Sequence, residues 1–431
     1  MFILALVFLG PAKNLPERRP WDQQLLRPLF LPHFIFAGYM GLSSVFHFLY
    51  SKGYVYFTPV GDPAPQEYFL QLAEAQQLYV LAHAALVHGI MLASRYRAPK
   101  FSLEFKSYSG GALVLAFLAI GLTALFHAVP GLDQFAVKTD NLSLVASVVA
   151  VALVLPERKW MYSVVALALF GANLFQSFIS GWKEDILVPL ILLGALLYPQ
   201  YKKPVIVLGS ISIVFLLFVL PFFTNIIREQ SWQGQAEATT AALEAFETLQ
   251  NASSKELADV NWNFLVFRFS EISNFVKYME NVPANRPFYD WQIIDQGFLN
   301  ILPRTLFPDK PNMEAMVMER VLENGIIEWY SVDKVSAKPQ LVVDGYLSFG
   351  MFGSWLFCFL IGLLSAFSSV VAERWFGGYL WGTGLIYTGL FQVFWRGSCW
   401  EFIINIFIWS FILMVLLFVL FRGFGFLKKV S

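Results

Sequence analysis

Three short segments set charged side chains against long apolar runs, where each charge carries a cost and so marks a candidate site. The first is Gly181-Trp182-Lys183-Glu184-Asp185, and the second is Trp395-Arg396-Gly397-Ser398-Cys399-Trp400-Glu401. The third is Asp344, directly before Gly345-Tyr346-Leu347-Ser348-Phe349-Gly350. Between the first and third lies a polar stretch carrying Arg228, Arg268, Glu271, Arg286, Arg304 and Lys310. Carboxylates in such places can accept protons, and guanidinium forks can hold anions with two parallel hydrogen bonds. A lone cation beside an apolar run can instead snorkel to water, so it is the grouping that points to a site.

Other chemistries find little support. The five histidines, His33, His47, His83, His88 and His127, are scattered. His83 and His88 stand about 140° apart on a helix, which argues against a paired metal site. No glycine loop with a following Lys-Ser or Lys-Thr cradles a phosphate. Cys358 and Cys399 have no metal-binding spacing and read as structural thiols. Asn251-Ala252-Ser253 matches the glycosylation triplet, a pattern common by chance. No metal and no cofactor is expected. With Lys plus Arg and Asp plus Glu at 30 each, nucleic acid is not an expected partner.

The elements that position these residues follow from composition. The chain is 57% hydrophobic and 14% charged over 431 residues, against roughly 25% charged in soluble domains. That much apolar surface calls for lipid. Apolar runs predict spans at Leu29–Tyr50, Ala73–Ala93, Gly110–Ala128, Leu142–Leu155, Met161–Phe178, Ile186–Tyr198, Val205–Thr224, Tyr346–Val371, Gly378–Trp395 and Phe402–Phe421. The expected fold class is therefore all-α and polytopic, with about ten transmembrane helices, about nine to twelve allowing for the two shortest runs. Met1 to Gly10 is apolar but too short to span, and no small-residue cleavage site follows it.

Alternate short loops collect the positive charge. Lys13, Arg18, Arg19, Arg27, Arg95, Arg97, Lys100, Lys106, Arg158, Lys159, Lys202, Lys203, Arg374, Arg422, Lys428 and Lys429 fall on one side, and only Lys52, Lys138, Lys183 and Arg396 on the other. The first side is predicted to be cytoplasmic, C-terminus included. Residues 225–345 then form a large outer loop between N-terminal helices (1–224) and C-terminal helices (346–431). Its aromatic content predicts a structured cap, with helices over Thr239–Leu249 and Asn261–Met279. Leu302–Pro311, with three prolines, reads as a rigid turning segment.

The Ser180–Asp185 turn, the Leu302–Pro311 run, and Asp344-Gly345-Tyr346 with Phe349-Gly350 and Gly353 together resemble the O-antigen polymerase-like proteins, or Wzy-type oligosaccharide repeat unit polymerases. The likeness covers roughly Met161 to the C-terminus. That family more often has Arg where Lys183 stands and Glu where Asp344 stands. The resemblance implies a glycosyltransferase in the bacterial inner membrane, using a polyprenyl-diphosphate-linked oligosaccharide at the periplasmic face. It implies further that Arg268, Arg304 and Arg396 contact diphosphate or sugar, assisted by Lys183, Arg228 and Lys310. Asp344 would be the base, with Glu271 and Glu184 behind it. A glycan ligase would share donor and site. A transporter would instead carry charges at mid-depth, and a non-catalytic assembly scaffold is the remaining alternative.

Overall fold

The computed structural model describes residues 19–105, 107–129, 131–157, 159–180, 183–227, 238–303, 306–331 and 337–430. Met1–Gly10 lies outside them. Among the described residues the architecture is helical, with two small two-stranded antiparallel sheets. Among the described residues, seven helices are long and apolar enough to cross a membrane: α1 (Leu31–Ser51), α2 (Gln66–Ala93), α3 (Tyr108–Ala128), α4 (Asp133–Glu157, apolar from Phe135), α5 (Trp160–Ile179), α14 (Leu341–Trp375) and α17 (Trp400–Gly423). These are the marks of a membrane protein. The remaining expected spans are short or broken. Helix α6 (Lys183–Leu197) has only 15 residues. Helices α7 (Lys202–Phe218) and α8 (Leu220–Ile227) form one bent pair at 46°. The run at Gly378–Trp395 becomes a π-helical Tyr379–Tyr387 continuing into Thr388–Leu390 (α15), then a break, then α16 (Val393–Arg396).

The expected span Leu142–Leu155 belongs to a helix that starts earlier. Asp133, Lys138 and Asp140 interrupt the apolar run without interrupting the backbone pattern, and Lys138 is buried. Small residues bring the scaffold helices together. A Cβ on Gly89 of α2 would overlap the carbonyl of Phe359, and one on Gly362 of α14 would overlap that of Leu86. Such close backbone approach replaces the hydrophobic driving force that lipid does not supply. Outward faces stay apolar, as with Ile206, Leu208, Ile211 and Val214 of α7.

The basic loops gather at one end. Lys202 pairs with Asp22 at 2.9 Å, Arg27 with Glu373 at 2.7 Å, and Lys159 donates to Ser107 at 2.9 Å. Strand β3 (Phe101–Leu103) pairs with β4 (Leu427–Lys429), tying the C-terminus to the same end. The opposite end carries β1 (Tyr54–Val55) paired with β2 (Thr58–Pro59), and the cap: α9 (Ala238–Asn251), α10 (Ser254–Phe267), α11 (Ile272–Asn281), α12 (Gln292–Ile301) and α13 (Met313–Glu323). Ser253, the last residue of the glycosylation-like triplet, caps α10 in a reciprocal box with Glu256. The helix expected over Asn261–Met279 is two helices. Arg268 ends α10, Ser270 Oγ accepts the Ile272 amide at 3.5 Å, and Glu271 opens α11.

Helix α14 is not straight. Phe349 (φ −139°) and Gly350 (φ 62°) leave the helical region, and the chain reverses there. Ser354 Oγ donates to Val342 O at 2.9 Å, although twelve residues of continuous helix would hold them about 18 Å apart. Residues 341–348 thus fold back against 351–375, and the crossing is at Gly345 and Gly353, where a Cβ on either would overlap the other's carbonyl.

A branched side chain at that crossing has no room. Gly353→Val should destabilise by about 3 kcal/mol or more, because the obstacle is backbone. Gly171→Val, with nothing within 4 Å of the new Cβ, should change little. Thermal loss of the monodisperse peak of detergent-purified protein reads both, and equal behaviour of the two variants would contradict the folded-back hairpin.

Candidate functional site

The fold-back carries Asp344 inside the protein, where its side chain is fully buried. One oxygen, Oδ1, accepts from Arg320 Nη2 at 3.0 Å, and Oδ2 accepts the backbone N–H of Trp400 at 2.7 Å. Arg320 comes from cap helix α13, and its Nη1 donates to Glu401 Oε1 at 2.7 Å and to Gln296 Oε1 at 3.2 Å. Three elements therefore meet on one guanidinium: the cap, the folded-back half of α14, and the start of α17.

Two carboxylates face one cation in a region of low dielectric. The first turn of α17 offsets the imbalance, since its N-terminus carries about half a positive charge and Trp400 N–H points at Asp344. Burial alone would lower the pKa of Arg320, but Asp344 and Glu401 outweigh it and raise the pKa above its usual value. The guanidinium stays charged. Two polar atoms remain without partners among the described residues, Arg320 Nε and Glu401 Oε2. Oxygens of Asp344 and Glu401 and the Cys399 sulfur lie within 4.8 Å of one another. Arg320 already engages one oxygen of each carboxylate, so the cation of this cluster is the guanidinium.

A second pair lies four residues before Trp400. Arg396 Nη1 donates to Asp185 Oδ1 at 2.6 Å and Nη2 to Gln392 Oε1 at 2.8 Å, while Nε has no partner among the described residues. This contact joins the first and second sequence clusters, as the triad joins the second and third. Gly397, at φ 64°, turns the chain between the two ion clusters.

Beside the triad a small cleft of about 10 Å³, room for roughly one water, lies between α11 and the segment leading into α14, lined by Glu271, Asn274, Phe275, Tyr278, Ala337, Lys338, Pro339, Gln340 and Val343. Gln340 accepts from Tyr79 at 3.0 Å, and Lys338 pairs with Glu314 at 2.7 Å. Tyr278 is buried and its hydroxyl has no partner among the described residues. Burial raises its pKa; Arg320 opposes this, and Asp344 and Glu271 reinforce it.

The family described as "Domain of unknown function (DUF8712)" matches over residues 1–429. The chain belongs to that family. No curated protein and no solved structure matches. Family membership thus leaves the function to be argued from the residues.

Of the residues singled out by sequence, Asp344 and Arg396 sit in the two ion clusters and Glu271 lines the cleft. Arg268 is exposed at the end of α10. Lys310 donates to Asn300 O at 3.0 Å and Leu302 O at 2.5 Å, which ties the proline-rich turn to the end of α12. Arg228 and Arg304 lie outside the described residues, as do the side chains of Lys183 and Glu184. Arg286 pairs with Glu323 at 2.9 Å, away from the triad's partners. Sequence reading passed over Arg320. A readable sign existed: Val317, Met318 and Val321 are buried with it, so a cation stands on the apolar face of an amphipathic helix. Two histidines also meet: His33 Nδ1 lies 3.4 Å from His83 Nε2.

Arg320→Met leaves two buried carboxylates without their cation and should cost about 3–5 kcal/mol. Adding Asp344→Asn and Glu401→Gln in the same chain should recover at least half of the lost thermal stability. An R320M protein as stable as the parent would mean that the triad does not form.

Proposed function

We propose that this chain is an integral membrane glycosyltransferase that joins polyprenyl-diphosphate-linked oligosaccharide repeat units into a polymer. The reading places it in the bacterial inner membrane with the cap (225–345) periplasmic and the C-terminus cytoplasmic, in accord with the basic loops gathered at the end away from the cap. The observation that carries it is the concentration of carboxylates and guanidinium groups where the cap meets the helix ends. Arg396 with Asp185, Arg320 with Asp344 and Glu401, and Glu271 in the cleft all lie there.

Such a reaction needs little beyond those groups. An acceptor hydroxyl loses its proton to a carboxylate as its oxygen attacks the anomeric carbon, and the lipid diphosphate leaves with the bonding electrons. Guanidinium groups facing the departing diphosphate stabilise its charge. Arg396 and the exposed Arg268 are the described candidates, with Arg228, Arg304 and Lys183 supplying further charge by the family resemblance and Glu184 a reserve carboxylate. Lys310 is bound to backbone carbonyls and serves by holding the proline-rich turn. The reaction as written calls for no cofactor and no nucleic acid, and its partners are the lipid-linked oligosaccharide and the bilayer.

Deleting the gene in its native host tests this reading, with lipid-linked and surface glycans resolved by gel and mass spectrometry. The expected result is loss of long polymer with single repeat units accumulating on the carrier. Full-length chains stranded on the carrier would identify a ligase instead, and unchanged glycans would remove both.

A further inference from the structure

We propose that α12 and the proline-rich turn after it dip into the lipid leaflet on the cap side, with Phe298, Leu299, Leu306 and Phe307 against acyl chains. The inference is independent of the glycosyltransferase reading, since it concerns how the cap sits on the bilayer.

The depth is set by α17. Its apolar run begins at Phe402, and two side chains inside that run hold the end of α12. Asn405 Nδ2 donates to Asn300 O at 2.6 Å, and Trp409 Nε1 donates to Ile301 O at 3.1 Å. Higher up, a Cβ on Gly297 would overlap the ring of Trp400. Gly297, Asn300 and Ile301 therefore meet Trp400, Asn405 and Trp409 in that order, so the cap helix descends beside α17 toward the basic end. Trp409 in turn packs edge-on against Phe135, with ring centres 5.1 Å apart, and Phe135 is where the apolar stretch of α4 starts. The Trp409 ring is thus level with the edge of that stretch, the depth at which tryptophans gather in membrane proteins.

The backbone of the turn suits a place without water. Five consecutive carbonyls, from Leu299 to Pro303, all accept from protein donors. The Leu302 amide is on Leu299 at 3.3 Å, Asn405 and Lys310 are on Asn300, Trp409 is on Ile301, and Lys310 is on Leu302. The Leu306 and Phe307 amides reach Pro303 at 3.1 and 3.0 Å. A helix end in water can leave its last carbonyls to solvent, whereas in lipid each needs a protein partner. Pro303 and Pro308 add no N–H that would need one.

The exposed side chains change along the segment as such a dip requires. At the start of α12 the exposed residues are the polar Gln292 and Asp295, while Ile293, Gly297 and Asn300 are buried. Toward its end they become Phe298 and Leu299, and after the turn Leu306, at 72%, and Phe307. Asp309 and Lys310 then restore charge. By sequence the single charge in 296–308 is Arg304, a residue type whose long side chain can carry its charge up to the headgroups. Large apolar side chains presented at this depth fit acyl chains, as in interfacial segments that lie about 5–10 Å into the leaflet.

The test uses the full chain in nanodiscs, with an environment-sensitive fluorophore on one engineered cysteine at a time. Cys358 and Cys399 are buried and leave the label to the new thiol. F298C and L306C are compared with I211C, on the outward face of α7, and with E319C, on the exposed face of α13. The quencher is phosphatidylcholine carrying a spin label near the headgroup or at the chain end. F298C and L306C should be quenched about threefold more than E319C, and more by the headgroup-side label than by the chain-end label, as an interfacial depth requires. I211C should show the opposite preference. Should L306C fail to accumulate, F307C takes its place with the same expectation. Quenching no greater than at E319C overturns the inference. Blue-shifted emission without quenching also overturns it, because a second copy of the chain would then cover these residues. Quenching that added polyprenyl phosphate relieves overturns it as well, since the face would then be a groove for one prenyl chain rather than a contact with bulk lipid.

Discussion

Arg320 is the point on which the cap-side architecture turns. A guanidinium and two carboxylates can be withdrawn from water only as a group, because each alone would forfeit several kcal/mol of hydration. Arg320 lies 24 residues from Asp344 and 81 from Glu401 along the chain, on three different elements. Once those elements meet, none can shift without stranding a charge. The constraint explains why a cap helix, a folded-back helical segment and the start of a transmembrane-length helix share one register.

That meeting has a backbone requirement. Asp344 reaches the interior because the chain reverses at Phe349 and Gly350, and the reversal closes because Gly345 and Gly353 let two helical segments touch through their carbonyls. Irregular backbone recurs nearby, in the π-helical Tyr379–Tyr387 and at Gly397. Helices α2, α3 and α4, by contrast, are continuous. Broken helices inside a membrane protein are tolerated where other protein groups satisfy the freed backbone. Here Asp344 does so for Trp400, and Ser354 for Val342.

The same division separates two kinds of carboxylate. Asp344 and Glu401 are deep and held by Arg320, whereas Glu271 opens α11 at the edge of a cleft. Carboxylates held by a shared guanidinium fix the geometry of the elements that carry them. The two positions are joined through Tyr278, which lines the cleft and feels the charges of Arg320, Asp344 and Glu271.

Much of this was legible in the residues alone. Apolar runs located the helices, since length and hydropathy are local properties, and the spacing of basic loops anticipated which connections gather at one end. Charges beside apolar runs marked Asp185, Asp344, Arg396 and Glu401. The sequence misjudged where a helix is bent or interrupted, as in the 202–227 run and in the 378–395 run, because hydropathy reports composition and not the path of the backbone. Only the tertiary structure decided that Asp344 pairs with Arg320, that Arg396 pairs with Asp185, and that His33 meets His83. Each of those contacts joins residues far apart in the chain, and their partners are set by a chain reversal and by packing between helices that no local pattern of residues encodes.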